Sequence, residues 1–213
     1  MSSRFDDAFA AQPLIAILRG LQPSEAHAVF SALADGGVRL AEVPLNSPEP
    51  FQSMAEGAQI EGIVVGAGTV LSTADVRRSF DAGARYIVAP NFDPDVSAAA
   101  ADVGLPMVPG VMTPSEAFAA IAAGASALKL FPAEIIGFDG LKALRAVLPP
   151  ATRLIPVGGV APATVAAWRD TGAAGVGIGS ALYSPGVTPE EVLARARSIV
   201  TAWTQSTAPR RSA

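Results

Sequence analysis

Eight short apolar runs rich in β-branched residues recur along the chain: LIAIL (14–18), LAEVPL (40–45), IVVGAG (63–68), YIVAP (86–90), PMVPG (106–110), ALKLF (127–131), LIPVGG (154–159) and GVGIG (175–179). They begin about every 20–26 residues, the rhythm of one strand, one helix and two short loops. The runs are continuously apolar rather than alternating, as parallel strands covered on both faces should be. Helix-like segments lie between them. TPSEAFAAIAAGA opens with Thr113, carries Glu116 three residues on as in a capping box, and stops at Gly124. PSEAHAVFSALADGG begins at Ser24 after a proline and ends at a glycine pair. The pattern predicts an α/β fold: a single (β/α)8 TIM barrel over residues 1–204, followed by a polar tail, 205–213, expected to be disordered. An open doubly wound sheet is the second choice, and eight units would make it unusually wide.

Composition narrows the function. Half of the 213 residues are hydrophobic and 16% are charged, enough for a sizeable core. A net charge of −4 with no basic tract offers no footprint for nucleic acid or an anionic membrane. With no cysteine, a disulfide framework, a thiolate zinc site and a cysteine nucleophile are excluded. Asp6 and Asp7 before PLIAIL argue against a signal peptide, and no run of eighteen apolar residues could span a membrane. A cytoplasmic protein is expected.

The chain has two lysines, Lys129 and Lys142, among fifteen basic residues. Lys142 lies on an expected helix and reads as a solvated charge. Lys129 lies inside ALKLF, where a charge is expensive to bury. It could snorkel to the barrel mouth or form an ion pair. It could also act as a Schiff-base nucleophile, its amine freed by burial among Leu128, Leu130 and Phe131, which a permanently protonated arginine could not do. In a barrel, functional residues stand at the C-terminal strand ends. Those positions hold Arg19, Glu42, Asn46, Thr69, Pro90, Asn91, Lys129, Gly158, Gly159, Gly179 and Ser180. Arg19 could cap a loop or pair with Glu42, and Glu42 needs a partner if ionised there. VGGV after the seventh run and GIGSAL, read as leading from the eighth into a short helix, fit an anion cradle of backbone N–H groups. The single histidine, His27, reads as a surface residue, and Trp168 and Trp203 as helix packing. One histidine and no cysteine rule out the common zinc patterns; a carboxylate-only magnesium site stays open, though no clustered acids stand at strand ends.

These residues fall into motifs that together resemble the class I 2-keto-3-deoxy-6-phosphogluconate/6-phosphogalactonate aldolases: ILRG, EVPLNSP, VGAGTV, VAPN, VPGVMTPSEA, LKLFPAE, VGGV and GIGSALY, in order over nearly the whole chain. The resemblance implies a (β/α)8 barrel, a homotrimer and metal-independent chemistry without a cofactor. It implies Lys129 as the Schiff-base lysine and Glu42 as the proton shuttle. Arg19, Asn46, Thr69, Pro90, Phe131 and Val157 would bind substrate, and Gly158, Gly159, Gly179 and Ser180 its phosphate. Members acting on phosphogluconate carry an arginine where this chain has Asn46, and a threonine where it has Val157. Both differences resemble the phosphogalactonate branch, so the expected reaction splits 2-dehydro-3-deoxy-6-phospho-D-galactonate into pyruvate and D-glyceraldehyde 3-phosphate. Broad activity on the gluconate epimer or on 4-hydroxy-2-oxoglutarate is the nearer alternative. A sugar-phosphate epimerase, or a binding protein without turnover, is the more distant one.

Overall fold

The computed structural model describes residues 3–205. Residues 206–213 of the expected tail lie outside them, while Gln205 is the C-cap of the last helix. Each apolar run contains a strand: β1 (Leu14–Ile17), β2 (Leu40–Pro44), β3 (Val64–Gly68), β4 (Ile87–Val88), β5 (Met107–Val108), β6 (Gly110–Val111), β7 (Leu128–Leu130), β8 (Leu154–Pro156) and β9 (Val176–Ile178). The fifth run supplies two of them, because Pro109 has no N–H to give a ladder and interrupts the strand. Every pairing is parallel. One sheet runs β5-β4-β3-β2-β1-β9 and the other β6-β7-β8. Residues 107–111 pass from one sheet to the other, and Val157 makes an isolated parallel bridge to Gly177.

The connecting helices are α2 (Pro23–Asp35), α3 (Pro50–Gly57), α4 (Thr73–Asp81), α5 (Pro94–Asp102), α6 (Pro114–Ala122), α7 (Ala133–Val147), α8 (Pro162–Thr171) and α9 (Pro189–Thr204). Six of them open on proline, whose missing N–H is one that a helix start leaves unpaired anyway. Thr113 and Glu116 form the expected capping box on α6. Ser24 does not cap α2: the N-cap is Gln22, with no side-chain bond, and Ser24 falls inside the first turn. The segment after β9 is likewise not a helix but one turn, with Leu182 and Tyr183 N–H donating to the Gly179 carbonyl at 2.8 and 3.0 Å.

The apolar runs hide an alternation. Leu14, Ala16, Leu18, Ala41, Val43, Val65, Ala67, Ile87 and Ala89 pack against the helices. Ile15, Ile17, Leu40, Tyr86, Val88, Val108, Ala127, Ile155 and Val157 form a second cluster on the concave side of the curled sheet. That cluster is completed by Phe5, Ala8 and Phe9 of a further helix, α1 (Arg4–Ala11), which no apolar run signalled. Ser3 and Asp6 form the capping box that starts α1, and Asp6 is tied to Arg153 at 2.5 Å, just before β8. Phe5 is wholly buried there, a burial that stabilises by about 2–3 kcal/mol. Helix α1 stands at the N-terminal ends of the strands and covers that end of the concave side, while the C-terminal ends are left open by it.

Candidate active site

Strand parity decides what points into that concave side. Glu42 follows Leu40 by two residues and Lys129 follows Ala127 by two, so both carry the inner face of their strands toward the open end. Both are buried, Glu42 at 2% and Lys129 at 5% exposure. Neither joins an ion pair within 4.0 Å among the described residues, so the structural ion pair is not what holds them. Snorkelling is also set aside by the 5% exposure of Lys129, whose Nζ lies 4.8 Å from the Phe131 ring centroid. The two groups nonetheless feel each other. Burial pushes the Glu42 carboxyl above its ordinary range, while Lys129 and Arg19 pull it back without cancelling the rise. Burial pushes the Lys129 ammonium below its ordinary range; Glu42 opposes this and Arg19 adds to it. A buried carboxyl that holds its proton more readily faces an amine that loses its own more readily.

Gly68 makes this arrangement fit. A Cβ built on it would lie 1.1 Å from Glu42 Oε2, so the carboxylate occupies the volume that any side chain at 68 would need. The next residue, Thr69, has φ 56°, a conformation a β-branched residue adopts only under strain. Sequence reasoning singled out Thr69 but not Gly68. The signal was a glycine inside a strand, a mark of close approach.

Arg19 is exposed, and its Nη1 donates to Asn46 Oδ1 at 2.6 Å, so it neither pairs with Glu42 nor merely caps a loop. Because a guanidinium can only donate, the contact fixes the amide oxygen of Asn46 toward Arg19 and leaves the Asn46 NH2 group for another acceptor. The neighbouring Ser47 hydroxyl accepts from Gly20 N–H at 3.0 Å and ties the two loops together.

A cleft of about 330 Å³ is lined by Ile17, Arg19, Val157, Gly158, Gly159, Val160, Ala161, Gly177, Gly179, Ser180 and Ala181. It gathers Arg19, Val157 and all four expected phosphate residues. Gly158 and Gly159 have φ 108° and 65°, consecutive left-handed residues of the kind that turn successive N–H groups toward an anion. A Cβ on Gly179 would meet nothing within 4 Å, so that side of the cleft is open. Glu134, which the sequence reading passed over, brings its Oε2 to 2.1 Å from where a Gly158 Cβ would stand, an acid beside the two glycines. Lys129, Glu42, Asn46, Thr69, Pro90 and Phe131 lie outside the cleft's lining. Arg19 connects the two groups, through its bond to Asn46 and its charge on Glu42 and Lys129. Thr69 and Pro90, both half-buried, stand at the same end of the sheet. Lys142 pairs with Asp139 on α7 at 3.4 Å and His27 is exposed on α2, both remote in role from the site. Trp168 is buried against Phe138, ring centroids 4.3 Å apart.

Residues 5–198 match the model of the aldolase family described as KDPG and KHG aldolase. The chain belongs to this family. It is 47% identical over 194 residues, 90% of its length and 92% of the relative's, to a probable 2-dehydro-3-deoxy-6-phosphogalactonate aldolase of Rhizobium meliloti (strain 1021). It is 42% identical over 196 residues, 91% of its length and 96% of the relative's, to the 2-dehydro-3-deoxy-6-phosphogalactonate aldolase of Escherichia coli (strain K12). Among solved structures it resembles native KDPGal with a TM-score of 0.88 at 42% identity, covering 91% of this chain and 95% of that one. The protein is therefore an aldolase of the KDPG/KHG family, a carbon–carbon lyase. No helix among the described residues is long and apolar enough to cross a membrane.

Proposed function

We propose that this aldolase cleaves 2-dehydro-3-deoxy-6-phospho-D-galactonate to pyruvate and D-glyceraldehyde 3-phosphate through an imine on Lys129. The observation that carries the reading is a lysine buried to 5% exposure with no ion pair among the described residues, whose charge interacts with that of a buried glutamate. Burial that favours the neutral amine makes Lys129 a nucleophile. It adds to the C2 ketone of the substrate, and loss of water gives a protonated imine. Glu42, through a water, takes the C4 hydroxyl proton. The C3–C4 bond breaks, the aldehyde departs, and the electron pair passes through the imine to form an enamine. Glu42 returns its proton to C3, and hydrolysis frees pyruvate and the lysine. A carboxyl pushed upward by burial suits both halves of that exchange.

Asn46, with its oxygen held by Arg19, offers its NH2 group to the substrate carboxylate together with Arg19 itself, and Thr69, Pro90 and Phe131 border the pyruvate end. Gly158, Gly159, Gly179 and Ser180 take the phosphate. Val157 lies beside the substrate hydroxyls, where a methyl in place of a hydroxyl relaxes discrimination at C4. We also read the sheet as a closed eight-stranded barrel, which is supported by the passage of residues 107–111 between the sheets and by the Val157–Gly177 bridge. A homotrimer would cover part of the apolar surface left by Leu71 and Phe118, 58% and 47% exposed.

Pyruvate release from the two C4 epimers and from 4-hydroxy-2-oxoglutarate tests the substrate. The phosphogalactonate is expected to react with a kcat/KM at least equal to that of the phosphogluconate. Val157→Thr should move the ratio toward the gluconate epimer by about tenfold. No pyruvate from the galactonate epimer would refute the assignment.

A further inference from the structure

The strand register sets Glu42, Gly66 and Tyr86 in one row. Glu42 pairs with Gly66 across β2 and β3, and Ala67 pairs with Ile87 across β3 and β4, so Gly66 stands opposite Tyr86. The middle residue has no side chain, and the tyrosine ring fills its place: a Cβ on Gly66 would lie 2.4 Å from Tyr86 Cζ. One step nearer the open end, Gly68 leaves the volume that Glu42 Oε2 occupies. Two glycines on β3 thus allow a phenol and a carboxylate from the flanking strands to lean toward each other.

Tyr86 is fully buried, its ring 5.0 Å from that of Phe5 on α1. Its hydroxyl and Glu42 Oε2 are both buried, and neither has a hydrogen-bond partner among the described residues. An unpartnered buried hydroxyl is unfavourable enough that phenylalanine would be the more stable choice if only a ring were needed. The charged groups that face Glu42 from the surrounding strands are Lys129 on β7 and Arg19 beyond β1. Tyr86 adds a neutral donor from below.

We propose that Tyr86 is a positioning residue for Glu42: its hydroxyl donates to one bridging water, which donates to Oε2 from the closed side of the sheet. One carboxylate oxygen is then held while the other is free to face the substrate. The bond stabilises the ionised carboxylate against burial and keeps it a ready base at neutral pH. A phenol achieves this without adding a positive charge that would further disfavour protonation of Lys129 or draw Glu42 into an ion pair. The catalytic consequence rests on reading Glu42 as the proton shuttle; the contact itself does not.

Tyr86→Phe keeps the ring over Gly66 and against Phe5 and removes only the hydroxyl. The protein is labelled with 13C at its glutamate carboxyls, and the Glu42 signal, identified by its loss in Glu42→Gln, is titrated without substrate in wild type and in Tyr86→Phe. Glu42 is expected to titrate at higher pH in the variant. On the acid side kcat/KM should fall about tenfold, with the alkaline side and the thermal midpoint maintained. Superimposable titration curves would overturn the proposal, whatever the turnover. A displaced curve in a protein that forms no imine with pyruvate would uphold the Tyr86–Glu42 contact and sink the imine mechanism instead.

Discussion

Gly68→Ala should disable catalysis while leaving the protein folded. The added methyl would stand 1.1 Å from Glu42 Oε2 and 2.2 Å from its carboxyl carbon, where contacts below 3.0 Å are essentially never seen. The carboxylate must therefore retreat by about 2 Å, and a misplacement of even 1 Å at a reacting group can lower the rate about 100-fold. The backbone raises no objection, since Gly68 is outside the left-handed region and alanine is acceptable in its strand. Reduced freedom of the unfolded chain contributes about 0.4–1 kcal/mol in favour of alanine, against an overpacking penalty of about 1–3 kcal/mol. The net loss of stability is thus at most about 3 kcal/mol. Pyruvate release, followed by coupled oxidation of NADH in a lactate dehydrogenase assay, should show kcat/KM down by at least about 100-fold. Borohydride trapping of pyruvate on Lys129 should persist, because the lysine is untouched. Activity within threefold of wild type would refute the placement of Glu42 over Gly68.

Glu42 also imposes a pH-dependent load on the fold. Its carboxyl is raised by burial, with Lys129 and Arg19 opposing, so its contribution to stability is fully present below the unfolded value and lost as pH rises through the folded one. Glu42→Gln, inactive in cleavage, should therefore melt above wild type at neutral and alkaline pH, and the margin should shrink toward the ordinary glutamate value of 4.5. A margin that does not change with pH would contradict the raised carboxyl. Gly158→Ala forces a side chain onto φ 108°, where it meets the movable end of Glu134 but cannot relieve the backbone strain. KM for the phosphorylated substrate should rise at least about tenfold, while cleavage of unphosphorylated 4-hydroxy-2-oxoglutarate is unaffected; equal effects on both would remove the phosphate from these glycines.

The apolar runs located every strand, since parallel strands buried on both faces announce themselves by composition. They could not say which residues face inward, because an all-apolar strand hides its period of two, and they could not foresee Pro109 dividing one strand into β5 and β6. Helix α1 was missed because its task is to close one end of the sheet with Phe5 and Phe9 and not to follow a strand. Lys129 and Glu42 stood out in sequence because charges are out of place in such runs. Their partners did not: Gly66, Gly68 and Tyr86 look like ordinary strand residues until the register places them beside the carboxylate. The Arg19–Asn46 contact likewise joins loops 27 residues apart, and only the folded chain reveals that the arginine orients the amide.

The central claim is that the Lys129 amine forms the imine, and borohydride reduction in the presence of pyruvate, followed by peptide mass mapping, tests it most directly. A reduced pyruvyl adduct on the peptide carrying Lys129, absent in Lys129→Arg, is the predicted result. An adduct confined to Lys142, or no adduct in a protein that still cleaves its substrate, would contradict the account.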